Sequence, residues 1–227
     1  MTAPIGPESG RRAPAPLSLL LSATLLGSLA GCTGLFHSNA PPEQVYFLRA
    51  TGVKNDPAPA APVAVSLRFN RPNVGPGLES EQIVLVQSDR RMSFFVASRW
   101  AAPTSNMIDM LAVEKLRRSG LWQSVADSAS LFPSDYVLQV TVRRFEADYT
   151  GGNTAPDVHV VLDCLVGKRE GREVIASFLA EGTSTAAANK LSAVVAAFET
   201  AANAAVDSLS AQALDAVRTS LARKGRD

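Results

Sequence analysis

Residue types that carry most enzyme chemistry are scarce in this chain. It has two histidines, His37 and His159, and two cysteines, Cys32 and Cys164. A bound zinc needs three or four converging ligands, and a Ser-His-Asp triad needs a histidine beside a positioned nucleophile. No spacing in the sequence offers either. Gly151-Gly152 lacks the Gly-Lys-Ser that completes a phosphate loop and stands between β-prone runs rather than before a helix. No metal, no cofactor and no catalysis are therefore expected, and any nucleotide chemistry would belong to a partner. His159 shares a strand face with Asp163, which admits one isolated hydrogen bond; a structural or solvent-facing role is the expectation for it.

The two thiols differ in setting. Cys164 lies in the run Val158 to Val166, where alternation places it beside Val160 and Leu162, the position of a buried, inert thiol. Cys32 follows Leu29-Ala30-Gly31 at the end of the apolar run Leu17 to Leu29, with Arg11 and Arg12 upstream. Charged, then apolar, then small is the order of an export signal. As a helix this run covers about 20 Å, short of a hydrocarbon layer of roughly 30 Å, which disfavours a transmembrane anchor. A twin-arginine reading of Arg11-Arg12 is weak, because Ala-Pro-Ala-Pro follows.

Leu29-Ala30-Gly31-Cys32 closely resembles the lipobox of bacterial lipoproteins. That resemblance implies a diacylglyceryl thioether on Cys32, removal of residues 1–31, and a further acyl chain such as palmitate on the new amino terminus. One chain holds a protein only marginally, whereas two or three make a durable anchor. Thr33 is not the aspartate linked to inner-membrane retention, so the resemblance favours the outer membrane, with the protein on its periplasmic face. An ordinary secreted precursor with a chance cysteine is the competing reading.

Removing residues 1–31 takes away Glu8, Arg11 and Arg12 and leaves basic and acidic side chains in equal number. A phosphate-neutralising surface needs an excess of Lys and Arg, so nucleic acid is not an expected partner. The remaining length suffices for one domain with a real core. If Cys32 is acylated, Cys164 has no partner for a disulfide, and stability rests on packing.

Residues 32–43 are small and polar with two prolines, a lipidated tether. Within the domain, Val45 to Leu48 and the alternating Val63 to Phe69 read as strands, the latter with Val63, Val65, Leu67 and Phe69 on one face. Arg71 to Gly77 reads as an irregular loop, and Ile83–Val86 with Met92–Val96 as a hairpin. After Arg99-Trp100-Ala101-Ala102-Pro103 a helix is expected, capped by Thr104 or Ser105, ending at Ser119 before Gly120, with an apolar stripe of Met107, Met110, Leu111 and Leu116. Leu121 to Val125 returns to strand. Tyr136 to Phe145, Val158 to Val166 and Val174 to Ala180, with short connections, read as an antiparallel meander. From about Asn189 to Ala222 the chain lacks Gly and Pro and repeats apolar residues every three or four positions, an Ala-rich amphipathic helix of about 50 Å. A helix of that length should kink or overhang a domain of this size, leaving an alanine stripe for self-association into a homo-oligomer.

This order of elements resembles the ABC-type transport auxiliary lipoproteins, which accompany MCE (mammalian cell entry) lipid-transfer systems. The lipobox at Cys32, Tyr46-Phe47-Leu48 after the tether, Arg99-Trp100-Ala101-Ala102-Pro103 before the first helix, the Tyr136 to Phe145 strand and the long last helix carry the resemblance. It implies a single α+β domain over residues 44–227, a mainly antiparallel or mixed sheet packed by a middle helix and the Ala-rich last helix. It also implies work beside an MCE-domain protein and an ABC permease and ATPase, moving phospholipid or another hydrophobic molecule between inner and outer membranes. Lipid itself is a candidate ligand. Arg99 and Trp100 are candidate partner-binding residues, although Trp100, at a strand-helix junction, suits burial better and Arg99 is better placed to reach outward. The alternative is a structural or assembly lipoprotein of the outer membrane with no part in transfer.

Overall fold

Strand β7 (Tyr136–Asp148) is the axis of the sheet, because strands pair with both of its edges. On one side it pairs antiparallel with β8 (Asp157–Lys168), which pairs antiparallel with β9 (Val174–Thr185). On the other side three strands share it in succession, all parallel: β2 (Val63–Phe69) at its start, β3 (Asn73–Val74) in the middle and β4 (Gln82–Val86) at its end. The flanks are completed by β6 (Trp122–Ala126) parallel to β2, β5 (Met92–Trp100) antiparallel to β4, and β1 (Gln44–Tyr46) parallel to β5. This computed structural model describes residues 42–52 and 61–224. Within them the chain is one mixed α+β domain with a nine-stranded sheet and two α-helices, α1 (Thr104–Arg118) and α2 (Leu191–Lys224).

Period-two burial makes these strands. In β8, Val158, Val160, Leu162, Cys164 and Val166 are all fully buried, and in β2 Val63, Leu67 and Phe69 face the same core. In β7 the buried set runs Tyr136, Leu138, Val140, Val142 and then Phe145, Ala147. The change of parity comes from a β-bulge at Arg143-Arg144, where the β7–β8 register shifts. One extra residue there keeps Phe145 on the core face instead of turning it to solvent.

Helix α2 lies across β7, β8 and β9, while α1 covers β2, β3 and β6. The buried positions of α2, Val194, Phe198, Ala202, Val206, Leu209, Ala213 and Val217, recur every three or four residues as the sequence predicts. They extend from Val194 to Ser220, so the helix is packed along its length rather than overhanging; Ala197, Ala201, Ala202, Ala205 and Ala213 are buried, while Ala196, Ala204, Ala211 and Ala222 are exposed on its outer face. The expected overhang is absent, and what the helix leaves open to a second copy is its outer face, where Ala196, Ala204 and Ala211 stand among Thr200, Asp207 and Asp215. Ala201 and Ala205 let α2 approach β9 closely at Gly182. An aromatic triangle of Trp100, Phe145 and Phe198, with centroids 4.9 to 5.6 Å apart, locks β5, β7 and α2 together.

Three local expectations are corrected. The segment after Arg71 is not wholly irregular, because Asn73–Val74 pairs with Thr141 and Val142. The N-cap of α1 is Pro103, with no side-chain cap; Thr104 and Ser105 are buried inside the first turn, where packing claims them. Met110 is 69% exposed, and the inner face of α1 is instead Met107, Ile108, Leu111, Ala112, Lys115 and Leu116. Gly120 does end the helix in the left-handed conformation, φ 64.

Candidate interaction surfaces

Cys32, the lipobox residues Leu29, Ala30 and Gly31, the signal segment 1–31 and nearly all of the tether 32–43 lie outside the described residues. The remaining candidates can be placed. Trp100 is fully buried in the aromatic triangle, and its indole N–H has no hydrogen-bond partner. It is a core residue and not a partner-binding one, since the end of β5 points it inward between Phe145 and Phe198. Arg99, its neighbour, points to the other face. Its guanidinium bridges Glu43 at 2.9 Å and Glu81 at 2.7 Å. The hydrogen bond to Glu43, then the charge of Glu81, hold its proton more tightly than in a free arginine. Arg99 therefore fastens the start of the domain to β4 and β5, and only its outer edge is available to a partner.

His159 does not meet Asp163. Its Nδ1 lies 3.3 Å from the Thr183 hydroxyl and its Nε2 4.0 Å from Asp148, while Asp163 is taken by Arg143. Cys164 has no exposed surface, and burial, followed by the charge of Asp163, pushes its thiol up to about 12. At neutral pH it is neither nucleophile nor metal ligand. Among the described residues no group of three His, Cys, Asp or Glu side chains could hold a metal ion. Nor is any helix there long and apolar enough to cross a membrane.

Two features carry no motif in the sequence. The first is a buried lysine. Lys115 of α1, 3% exposed, donates to the Thr51 carbonyl at 3.0 Å and to Asn203 Oδ1 at 3.0 Å, and meets Asp207 of α2 at 2.7 Å. Asn203 returns its amide to the carbonyls of Arg49 and Glu199 and accepts the Thr51 N–H. This network ties both helices to the segment after β1. An ammonium in such a place is tolerated because its protons are all directed at oxygens.

The second lies at the start of β7, on the sheet face turned away from the helices. A groove of about 650 Å3 runs between the loop after β6 and the β8–β9 turn, with Val137, Gln139 and Leu165 on its floor. The loop is held by Arg68, whose guanidinium donates to the carbonyls of Ser130, at 2.9 Å, and Phe132. So clasped, it presents Leu131 and Phe132, 97% and 79% exposed, to solvent. The signal for it in the sequence is two large apolar residues inside the turn-forming stretch from Asp127 to Pro133.

The architecture recurs in known proteins. A Xanthomonas campestris protein of the DUF330 family is 25% identical with a TM-score of 0.69, the match covering 79% of this chain and 98% of that one. An uncharacterized protein of known structure, 18% identical, has a TM-score of 0.58 and covers 78% of this chain and 99% of its own, a likeness of fold. No curated protein matches the sequence. A family model described as the ABC-type transport auxiliary lipoprotein component matches residues 46–212, from β1 into the second half of α2. The chain therefore belongs to the ABC-type transport auxiliary lipoproteins, a family of membrane-anchored periplasmic proteins associated with ABC transporters.

Proposed function

We propose that the protein works at the periplasmic face of the outer membrane, anchored by acyl chains on Cys32, as the auxiliary subunit of an MCE-type system. It acts by binding and not by catalysis. With an MCE-domain protein and an ABC permease and ATPase it moves phospholipid or another hydrophobic molecule between the two membranes. The observation that carries this reading is the family match over residues 46–212, which spans nearly the whole described domain. The chemistry of the side chains is consistent with it: the titratable groups on the open sheet face, such as Arg143 with Asp163 and Arg144 with Glu146 and Asp148, are engaged with one another. Paired charges of this sort fix a surface; they are not poised for proton transfer.

Deletion of the gene, followed by separation of inner and outer membranes and analysis of their lipids, tests the reading. Transport predicts an altered phospholipid distribution and a more permeable envelope, both restored by the wild-type chain. Unchanged lipids together with defective outer-membrane protein assembly would point to the structural alternative.

A further inference from the structure

We propose that the groove at the start of β7 binds the anionic headgroup and proximal acyl chain of a single phospholipid. The inference rests on the lipid-transfer reading and assigns it a site. The groove is amphipathic in a definite order. Leu131, Val174, Leu165 and Val137 supply apolar walls and floor, and Leu131 and Val174 are 97% and 61% exposed although each stands in a fixed backbone setting. On the floor Gly167 is in register with both Val137 and Val174, so between two valines the surface drops to bare backbone. Such depth suits a chain, not a flat protein surface.

Cations stand at one rim. Lys168, Arg169 and Arg172 all border the groove. Glu173 also lines the groove and is matched by Lys168 at 4.0 Å, whereas Arg169 and Arg172, both exposed, enter no ion pair among the described residues. Glu170, on the same turn, lines the neighbouring grooves on the other side of the turn instead. Arg172 is held at φ 53, a conformation that ordinarily favours glycine. Two unpaired guanidiniums beside exposed apolar side chains match a ligand with an anionic end and an apolar body. The volume of about 650 Å3 lies in the range of small-molecule sites and takes part of one lipid.

Position along the strand agrees. The groove lies at the Val137 end of β7, while β4, parallel to β7, pairs with Ala147 and Asp148 near the other end; Glu81, just before β4, and the Arg99–Glu43 clip therefore stand level with the Arg143 region of β7. At about 3.3 Å per residue the clip and the groove are about 20 Å apart along the strand direction. The groove is thus separate from the Arg99–Glu43 clip.

The test uses the mature acylated protein in detergent, titrated with a fluorescent-chain phosphatidylglycerol. Saturable binding is expected, with phosphatidylcholine of the same chain binding at least tenfold more weakly. The double variant Arg169→Gln/Arg172→Asn should weaken phosphatidylglycerol binding about tenfold or more, and Leu131→Ser/Val174→Ser should weaken it comparably. Asn tolerates the backbone at 172, and unchanged thermal unfolding shows that each variant is folded. Equal binding of both lipids, wild-type binding by either variant, or full competition by glycerol 3-phosphate would overturn the proposal, the last indicating a simple anion site. Capture of the MCE partner by the same variants separates the two readings. If the variants bind lipid weakly and still capture the MCE protein, both readings stand; if the wild type captures the MCE protein but binds no phosphatidylglycerol, the groove is wrong and the transport role stands; if the wild type captures no MCE protein, the transport role falls by itself.

Discussion

Gly182 of β9 passes so close beneath α2 that a Cβ built on it would stand 1.9 Å from the Ala201 carbonyl oxygen and 2.7 Å from the Ala205 nitrogen. Both are backbone atoms of a helix, with no flexible side chain to yield. Gly182→Ala should therefore force α2 away from the sheet and destabilise by about 1–3 kcal/mol or more. Denaturant unfolding checks this, with Gly171→Ala in the exposed β8–β9 turn as a control for backbone conformation alone, since nothing lies within 4 Å of that position.

Trp100 and Arg99 should separate cleanly. Trp100→Ala empties the middle of the aromatic triangle and should cost about 3–5 kcal/mol. Trp100→Phe should cost much less, because it also removes a buried N–H that has no acceptor. Arg99→Ala breaks surface ion pairs screened by solvent and should cost far less than Trp100→Ala. Thermal melts of the three variants give the order; a Trp100→Ala protein as stable as Arg99→Ala would contradict the core assignment.

Asp135 predicts an acid limit. Its carboxylate accepts the Ser66 hydroxyl at 2.6 Å and the Ser66 N–H at 2.7 Å, and these bonds hold its pKa below the ordinary carboxylate value. The unfolded chain takes up this proton first as pH falls, so the stabilisation is present above about pH 4 and is lost as pH falls through the folded value. Asp135→Asn should therefore be less stable than wild type at pH 7, with the gap narrowing at pH 3. A gap independent of pH would show that the carboxylate charge is not what matters.

The framework was legible where local pattern decides. Alternation marks β2 and β8, and the three-to-four-residue repeat marks α2, because one buried face forces those periods. Pairing between distant segments is not written locally. Nothing near Asn73 announces that β7 will pair with it, and the parity change at Arg143-Arg144 can be seen only once Phe145 is found in the core. Lys115 is a similar case: a helix lysine reads as solvated until Thr51, Asn203 and Asp207 converge on it. Trp100 was half legible, its burial following from the strand-helix junction. The groove was missed because apolar residues in a loop have no periodicity to betray them.

The anchor has its own test. Cys32→Ser should leave the precursor uncleaved by the lipoprotein peptidase, and the wild-type mature mass should begin at residue 32 with added acyl chains. Processing of the variant at the same bond, or a wild-type mass without acyl groups, would contradict lipidation.

The central claim, that this lipoprotein serves an MCE-type transporter, is tested most directly by affinity capture of the tagged full-length protein from detergent-solubilised membranes, with the bound proteins identified by mass spectrometry. The account predicts an MCE-domain protein, with the permease and ATPase recovered alongside it, and unchanged recovery when the buried Cys164 is replaced by alanine in a folded variant. Recovery of outer-membrane assembly factors alone, with no MCE protein, would contradict it.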